Sequence, residues 1–399
     1  MEDFSQVREV ADESMLGQRV RLRGWLYRRS ETEDYIDLVL RDETGFIVCR
    51  FSKSGVKENT AVQAAGINER SSIQVEGVVN RDEDAVSGFR VEAVELELID
   101  EAEDIDVAGG ESTNFYRDIN ELWKYPDRYA SITRIQSRVF EELNTYFRRQ
   151  EWRFVDPPLH VNEHEEGSLF VHDDRVTDPL PFLEALAPIL GKVYTVYEGD
   201  DDRVFEAVAT WSGIEDIEAL ARDLLHRVTL NVAKGSSTEL STLKRSYSDI
   251  REQAVELDEM QFEEALDEVE DESWDGDACH ALGQGREAPV LVRGRERRAD
   301  DVHLAGGDDT VQYSCVAAPE GHGKLLEVFA FEQRPTSIIE RLQDTGQDPD
   351  DYEWLMDLRR DGVVPHTGIR VFKHPFVRWI ADVHHEKDAK NFYNTFSKL

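Results

Sequence analysis

The chain predicts an α+β protein in two parts, a small β-barrel followed by a larger antiparallel sheet flanked by helices. Three observations carry this expectation. Period-2 apolar runs fill the first hundred residues, an acidic stretch containing Gly109-Gly110 interrupts them, and beyond it helical spacing alternates with short apolar runs. The boundaries fall at 1–100 for the barrel, 101–127 for an acidic hinge and 128–399 for the larger domain.

In the barrel, Val20, Leu22, Gly24 and Leu26 alternate with polar neighbours. A second run over 35–40 leads into the turn Arg41-Asp-Glu-Thr-Gly45, and a third strand follows over 46–51. Residues 72–79 and 89–98 supply two more period-2 strands, with a helix-like stretch at 61–66 before them. Five short strands with a helix between the third and fourth suit an OB-type Greek-key barrel, with other small barrels left open. Residues 99–111 are acidic and poor in large hydrophobics, as a hinge should be.

Past the hinge, Ile132, Ile135, Val139, Leu143 and Phe147 recur at helical spacing and pass into Trp152-Arg-Phe-Val-Asp-Pro-Pro158. The two prolines cannot donate to a sheet ladder and suit a strand end. Residues 215–257 read as helix, 259–277 as a solvated acidic surface helix, and 290–292 and 311–316 as core strands.

Asp and Glu number 84 against 46 Lys and Arg, a net charge of -38, and only eleven of the cations are Lys. The excess is spread along the whole chain, as in proteins of salt-loaded, haloarchaeal cytoplasms. Such a charge repels nucleic acid in dilute buffer. At about 1 M salt the Debye length is only about 3 Å, so charge alone does not exclude RNA. Three cysteines, Cys49, Cys279 and Cys315, lie far apart in sequence and imply no disulfide framework. The N-terminus lacks a basic n-region and apolar core, and no apolar run of about 18 residues exists. A cytoplasmic location, without membrane association, is expected.

No local metal motif stands out. His160 and His164 have i,i+4 spacing beside Glu163, but the neighbouring prolines make this a loop. His384-His385 is a weaker pattern, and Cys279-His280 has no partner pair at zinc spacing. Gly321-His-Gly-Lys324 lacks the lead-in of a P-loop and reads as a turn.

The run from Asp357 to Trp379 reads D-L-R-R-D-G-V-V-P-H-T-G-I-R-V-F-K-H-P-F-V-R-W. It resembles motif 3 of class II aminoacyl-tRNA synthetases, in the Asp/Asn/Lys subgroup and within it the asparaginyl type. The phrases V-R-L-R-G-W-L-Y-R-R from Val20 and L-R-D-E-T-G from Leu40 are similar to that subgroup's anticodon-binding OB domain. The resemblance spans roughly residues 17–399 in the correct order. It implies an OB barrel, a class II antiparallel sheet flanked by helices, a homodimer built on the helix and strand near 129–158, and tRNA as partner.

Residue by residue, the resemblance implies remnants of a site. Glu166 matches the glutamate that holds the substrate ammonium, and Glu184 closes the segment equivalent to S-x-Q-L-Y-x-E, whose Ser and Gln are lost. Asp201 falls at the motif 2 arginine, leaving Arg203 as an ATP contact or as a later arginine of that loop. Glu327 matches the first Mg²⁺ acid, while Ser337 stands where the second would be. Arg359 and Arg360 are candidates for a carboxylate, with packing or a salt bridge as the other reading. Motif 3 needs glycines at Arg370 and Phe372 and arginine at Pro375. In the barrel, Asp37 and Val48 replace the base-stacking aromatic and the reading glutamine. Arg28, Arg29 and Arg41 remain phosphate contacts. Trp25, Tyr27 and Tyr35 read first as strand residues packed on the barrel and second as stacking faces.

The expectation is a divergent paralogue that has lost aminoacylation and binds RNA or a protein partner. The alternative is a retargeted ATP-dependent ligase acting on aspartate or asparagine, or a genuine asparagine or aspartate ligase for tRNA. ATP and Mg²⁺ are expected only under that alternative.

Overall fold

The computed structural model describes residues 4–83, 85, 87–102, 127–158, 171–172, 175–176, 178–199, 202–255, 257–270, 274–299, 301–360 and 362–389. The chain divides into two compact units, Met1–Glu111 and Ser112–Leu399. The expected hinge lies outside the described residues except at 101, 102 and 127.

In the first unit, β1 (Arg19–Glu31), β2 (Tyr35–Arg41), β3 (Phe46–Ser52), β4 (Ser72–Arg81) and β5 (Phe89–Asp100) close into a barrel. The order is β1-β2-β3-β5-β4, with β3 and β5 parallel and the other pairs antiparallel. Helix α1 (Glu58–Gly66) spans β3 to β4, where the sequence placed it. The alternation is the cause: Val20, Leu22, Leu26, Leu38 and Phe51 fill the interior while their neighbours face out. Closure leaves no sheet edge to protect. Gly24 is required by packing, since a Cβ there would stand 2.2 Å from the Arg41 carbonyl oxygen.

In the second unit, eight strands form one sheet: β6 (Arg153–Phe154), β9 (Lys192–Glu198), β10 (Arg203–Thr210), β11 (Asp258–Gln261), β12 (Val290–Glu296), β13 (Thr310–Ala317), β14 (Lys324–Ala330) and β15 (His366–Phe372). Their order is β11-β12-β13-β14-β15-β10-β9-β6. The six central strands are antiparallel, and the outermost pair on each side is parallel. A separate short hairpin joins β7 (Val171–His172) to β8 (Arg175–Val176).

Helices cover one face. Helix α2 (Asp127–Arg149) buries Ile132, Ile135, Val139, Leu143 and Phe147 against it, the heptad-like set read from sequence. Helices α4 (Ile214–Gly235) and α10 (Lys373–Ala381) complete that layer. The opposite face is covered only in part, by α3 (Leu180–Leu190), α6 (Phe262–Val269) and α7 (Gly276–Gly283).

Two expectations shift. The 215–257 helix is three, with Ser237–Thr242 and Tyr247–Val255 following α4. The acidic stretch 259–277 is not one surface helix. It begins as edge strand β11 and continues as α6, whose Phe262 and Ala265 are buried. As an edge strand β11 keeps its acids accessible, with Glu259 paired to Arg222 and Arg293 and Asp258 to Arg286.

Candidate functional site

The partly covered sheet face carries an unusual row. Strands β10, β15 and β14 are adjacent and central, and their register sets Glu206 opposite Arg370 and Arg370 opposite Glu327. Each charge interrupts an otherwise buried apolar strand. The Arg370 guanidinium uses its whole fork: Nε donates to Glu206 at 2.6 Å, Nη2 to Asp178 at 2.6 Å, and Nη1 lies 3.5 Å from Glu327. Its Cζ stands over the Phe329 ring at 5.4 Å. Asp178 is itself fixed, since its other oxygen accepts from Leu180 N at the start of α3.

Burial and partners push Glu206 and Glu327 in opposite directions. Desolvation raises Glu206 to about 8, against the opposing pull of Arg370, and its Oε2 has no hydrogen-bond partner. Glu327 moves the other way. Burial would raise it, but Lys324 and Arg370 outweigh that and hold it at about 2. Its Oε2 accepts from Lys324 Nζ at 2.5 Å and from the Tyr313 hydroxyl at 2.8 Å.

A cavity of ≈ 240 Å³ opens over this row, lined by Asp178, Arg295, Tyr313, Lys324, Glu327 and Arg370 among others. Arg295 grips Asp301 with both Nη groups, at 2.5 and 2.6 Å, and stacks on Tyr313. Cys279 also lines the cavity, and its Sγ lies 3.6 Å from Cys315 Sγ. Two cysteines distant in sequence are therefore neighbours, both as thiols.

A second buried cluster joins two of the expected residues to each other. Arg359 on α9 (Glu353–Arg360) donates to Glu184 Oε1 at 2.6 Å and to the Glu332 carbonyl at 2.7 Å. His366 Nε2 contacts the same Glu184 oxygen at 2.8 Å while its ring stacks on Phe331. Burial opposes ionisation of Glu184, yet Arg359 and His366 bring it down to about 2. The two prolines that precede it suit a helix start, whereas Pro188 inside α3 leaves the Glu184 carbonyl without its helical donor. Pro179 caps α3 and Pro181 sits in its first turn, where a missing N–H leaves no bond unmade.

The other expected residues lie elsewhere. Arg360 is on the surface with Asp357 at 2.8 Å. Arg203 begins β10, is half exposed and donates to Glu198 across the hairpin. Glu166, Asp201, Glu163, His160 and His164 lie outside the described residues. Sequence reading missed Arg370, Glu206, Lys324, Asp178, Arg295 and Asp301 as a group. The available signal was a single charge inside each of three apolar strands.

On the barrel, Arg28 and Arg29 are exposed and Arg41 is half-buried. Trp25 and Tyr27 correct an expectation, being 47% and 39% exposed rather than packed away. Tyr27 meets Phe46 edge-on at 4.9 Å. Asp37 does not stand as a bare carboxylate. Arg50 binds it through two bonds of 2.7 Å and lies 4.0 Å over the Tyr35 ring.

No family model matches the chain. Curated relatives do. Asparagine–tRNA ligase of Thermococcus gammatolerans is 26% identical over 96% of each chain, and that of Thermococcus kodakarensis 24% over the same share. The crystal structure of asparaginyl-tRNA synthetase from Pyrococcus horikoshii superposes with a TM-score of 0.89 over 98% of each chain, at 23% identity. The chain is asparaginyl-tRNA synthetase-like. The Entamoeba histolytica asparaginyl-tRNA synthetase solved with asparaginyl-adenylate shares the fold too, at TM-score 0.80 and 15% identity over 94% of this chain and 95% of that one. In this synthetase-like chain, then, the OB barrel and class II sheet expected from sequence are both present, and the polar row occupies the sheet's open face. No helix among the described residues is long and apolar enough to cross a membrane.

Proposed function

We propose that this synthetase-like chain has lost aminoacylation and serves as a binding scaffold for RNA. The observation that carries the proposal is the Glu206–Arg370–Glu327 row. In the resembled motif Arg370 takes a glycine position beside the ATP phosphates. Here its donors are spent on Glu206 and Asp178, so an incoming phosphate finds acids and no unsatisfied fork. The residues also do not fit Mg²⁺. Glu327 is held by an ammonium 2.5 Å away, and a hard dication would have to displace it and face Arg370 as well. Stabilising a transferring phosphoryl centre needs donors aimed at it, each worth on the order of 3–4 kcal/mol. Several such contributions are absent together.

For RNA, exposed Trp25 and Tyr27 offer stacking faces, and Arg28, Arg29 and Arg41 offer phosphate contacts. Capture of Asp37 by Arg50 pairs the carboxylate that stands in place of the base-stacking aromatic, so it does not face RNA as a bare charge. The test measures ATP–Mg²⁺ and tRNA binding separately at molar salt. Expected are no saturable ATP binding, and tRNA binding that weakens about tenfold or more in Trp25→Ala, since stacking contributes roughly 1–3 kcal/mol per base. Saturable ATP binding with pyrophosphate exchange would restore the ligase reading. Binding of neither RNA nor ATP would sink the RNA scaffold.

The scaffold we propose is a homodimer. Phe154 (54%), Ile189 (76%), Leu190 (46%) and Trp211 (78%) are large exposed apolar residues. Phe154 on edge strand β6 lies beside Tyr194, and Thr210 N donates to the Gly191 carbonyl, which brings Leu190 and Trp211 together at the neighbouring end of β9 and β10. Light scattering should give twice the chain mass for the parent and the chain mass for Trp211→Glu. A parent of single-chain mass would exclude the dimer.

A further inference from the structure

Two sequence features that the site left unused meet in space. Gly321-His-Gly-Lys324 forms the turn entering β14, and the chain leaving α10 passes it at Asp382 and His384. His322 is fully buried, and neither of its ring nitrogens has a hydrogen-bond partner. Burying an imidazole with both nitrogens unbonded is unfavourable. The ring nevertheless faces ligands. Its Nε2 lies 3.6 Å from Asp382 Oδ1, His384 Nε2 lies 3.5 Å from the same oxygen, and the two rings stack 4.7 Å apart.

These spacings are long for hydrogen bonds, and the two to Asp382 are close to those of ligand atoms that share one ion. With metal–nitrogen and metal–oxygen bonds of about 2.0–2.1 Å, ligand atoms around a tetrahedral zinc stand about 3.3 Å apart. The three candidate atoms all lie within 4.8 Å of one another. Asp382 is held in left-handed backbone at φ 52°, just past the end of α10, which presents its carboxylate toward His322. Exposed His384 leaves the approach open to solvent, and its ring can tilt onto an ion. Glu320 Oε2, 3.5 Å from His322 Nε2, adds negative charge nearby. Arg245 Nη1 stands 3.8 Å from Asp382, and Arg378 donates to the His384 carbonyl. Both cations oppose binding.

We propose that His322, Asp382 and His384 bind one divalent transition-metal ion of the zinc class, water completing the shell. Two imidazoles and one carboxylate are a borderline-soft set, favouring zinc, nickel or copper over Mg²⁺. The ion would pin the segment after α10 to the turn that leads into Lys324.

The experiment is Zn²⁺ titration of chelator-treated full-length protein by calorimetry, in molar salt with excess Mg²⁺ to occupy the abundant surface acids. Co²⁺ absorption serves as a second readout. One ion per chain with a tetrahedral Co²⁺ spectrum is expected, with affinity falling at least about tenfold in Asp382→Asn and in His384→Ala. Both substitutions are at exposed side chains and test the site without opening the buried cavity that His322→Ala would leave. No stoichiometric binding, or binding unchanged in both variants, would overturn the proposal.

Discussion

Arg370→Gly, which restores the glycine of the resembled motif, should destabilise the protein by about 3 kcal/mol or more. Removing one partner of a buried ion cluster leaves its counter-charges without compensation, and that cost dominates. Asp178 loses its Arg370 bond, and Glu327 keeps only Lys324 and Tyr313. Glu206 limits the damage, because burial already holds it at about 8 and it simply stays protonated at neutral pH. The vacated volume under Phe329 adds a packing loss. For a unit of this size, about 3 kcal/mol corresponds to a fall in Tm of roughly 5 °C. Calorimetry at fixed salt measures it. Arg360→Ala is the control, since its pair with Asp357 is exposed on both sides and contributes at most about 1 kcal/mol. A Tm for Arg370→Gly within a degree or two of that control would show that the row adds nothing.

The second large effect is on acid stability. Glu184 and Glu327 both sit at about 2 in the folded protein against 4.5 when unfolded. A depressed folded pKa means the unfolded chain binds protons first as pH falls. Their stabilisation is thus fully present above about pH 4.5 and is lost as pH drops toward 2. Each contributes on the order of 3 kcal/mol. Glu206 has the opposite sign. The folded state holds its proton up to about 8, so stability declines as pH rises from about 4.5 to about 8. Urea unfolding across this range should show a steep acid limb and a shallower alkaline one. Glu184→Gln should flatten the acid limb, and Glu206→Gln the alkaline one. Limbs unchanged by these substitutions would place the proton uptake elsewhere.

The barrel was legible almost residue by residue. Period-2 patterning needs only the neighbour in sequence to decide which side chain points inward, and Val20, Leu22, Leu38 and Phe51 obey it. Helix α2 was legible for the same reason, at a period of 3.6. The candidate site was not. Arg359 and Glu184 were each picked out by the motifs that hold them, but that one binds the other follows only from α3 and α9 meeting across 175 residues. Arg370 read as a lost glycine, although its charge inside Gly-Ile-Arg-Val-Phe already pointed to a buried partner. Trp25 and Tyr27 read as packed residues because alternation tells which face a residue takes, not whether that face is covered.

The sequence by itself determined the two-part architecture, the kept frame and the changed residues at each motif. Those properties depend on local periodicity and on order along the chain. Only the tertiary structure decided what the changes do together. Strand register sets Glu206, Arg370 and Glu327 in one row, and a turn and a helix end bring His322 within reach of Asp382 and His384. Electrostatic energy depends on distance in space, and distance in space is what a sequence pattern leaves unstated.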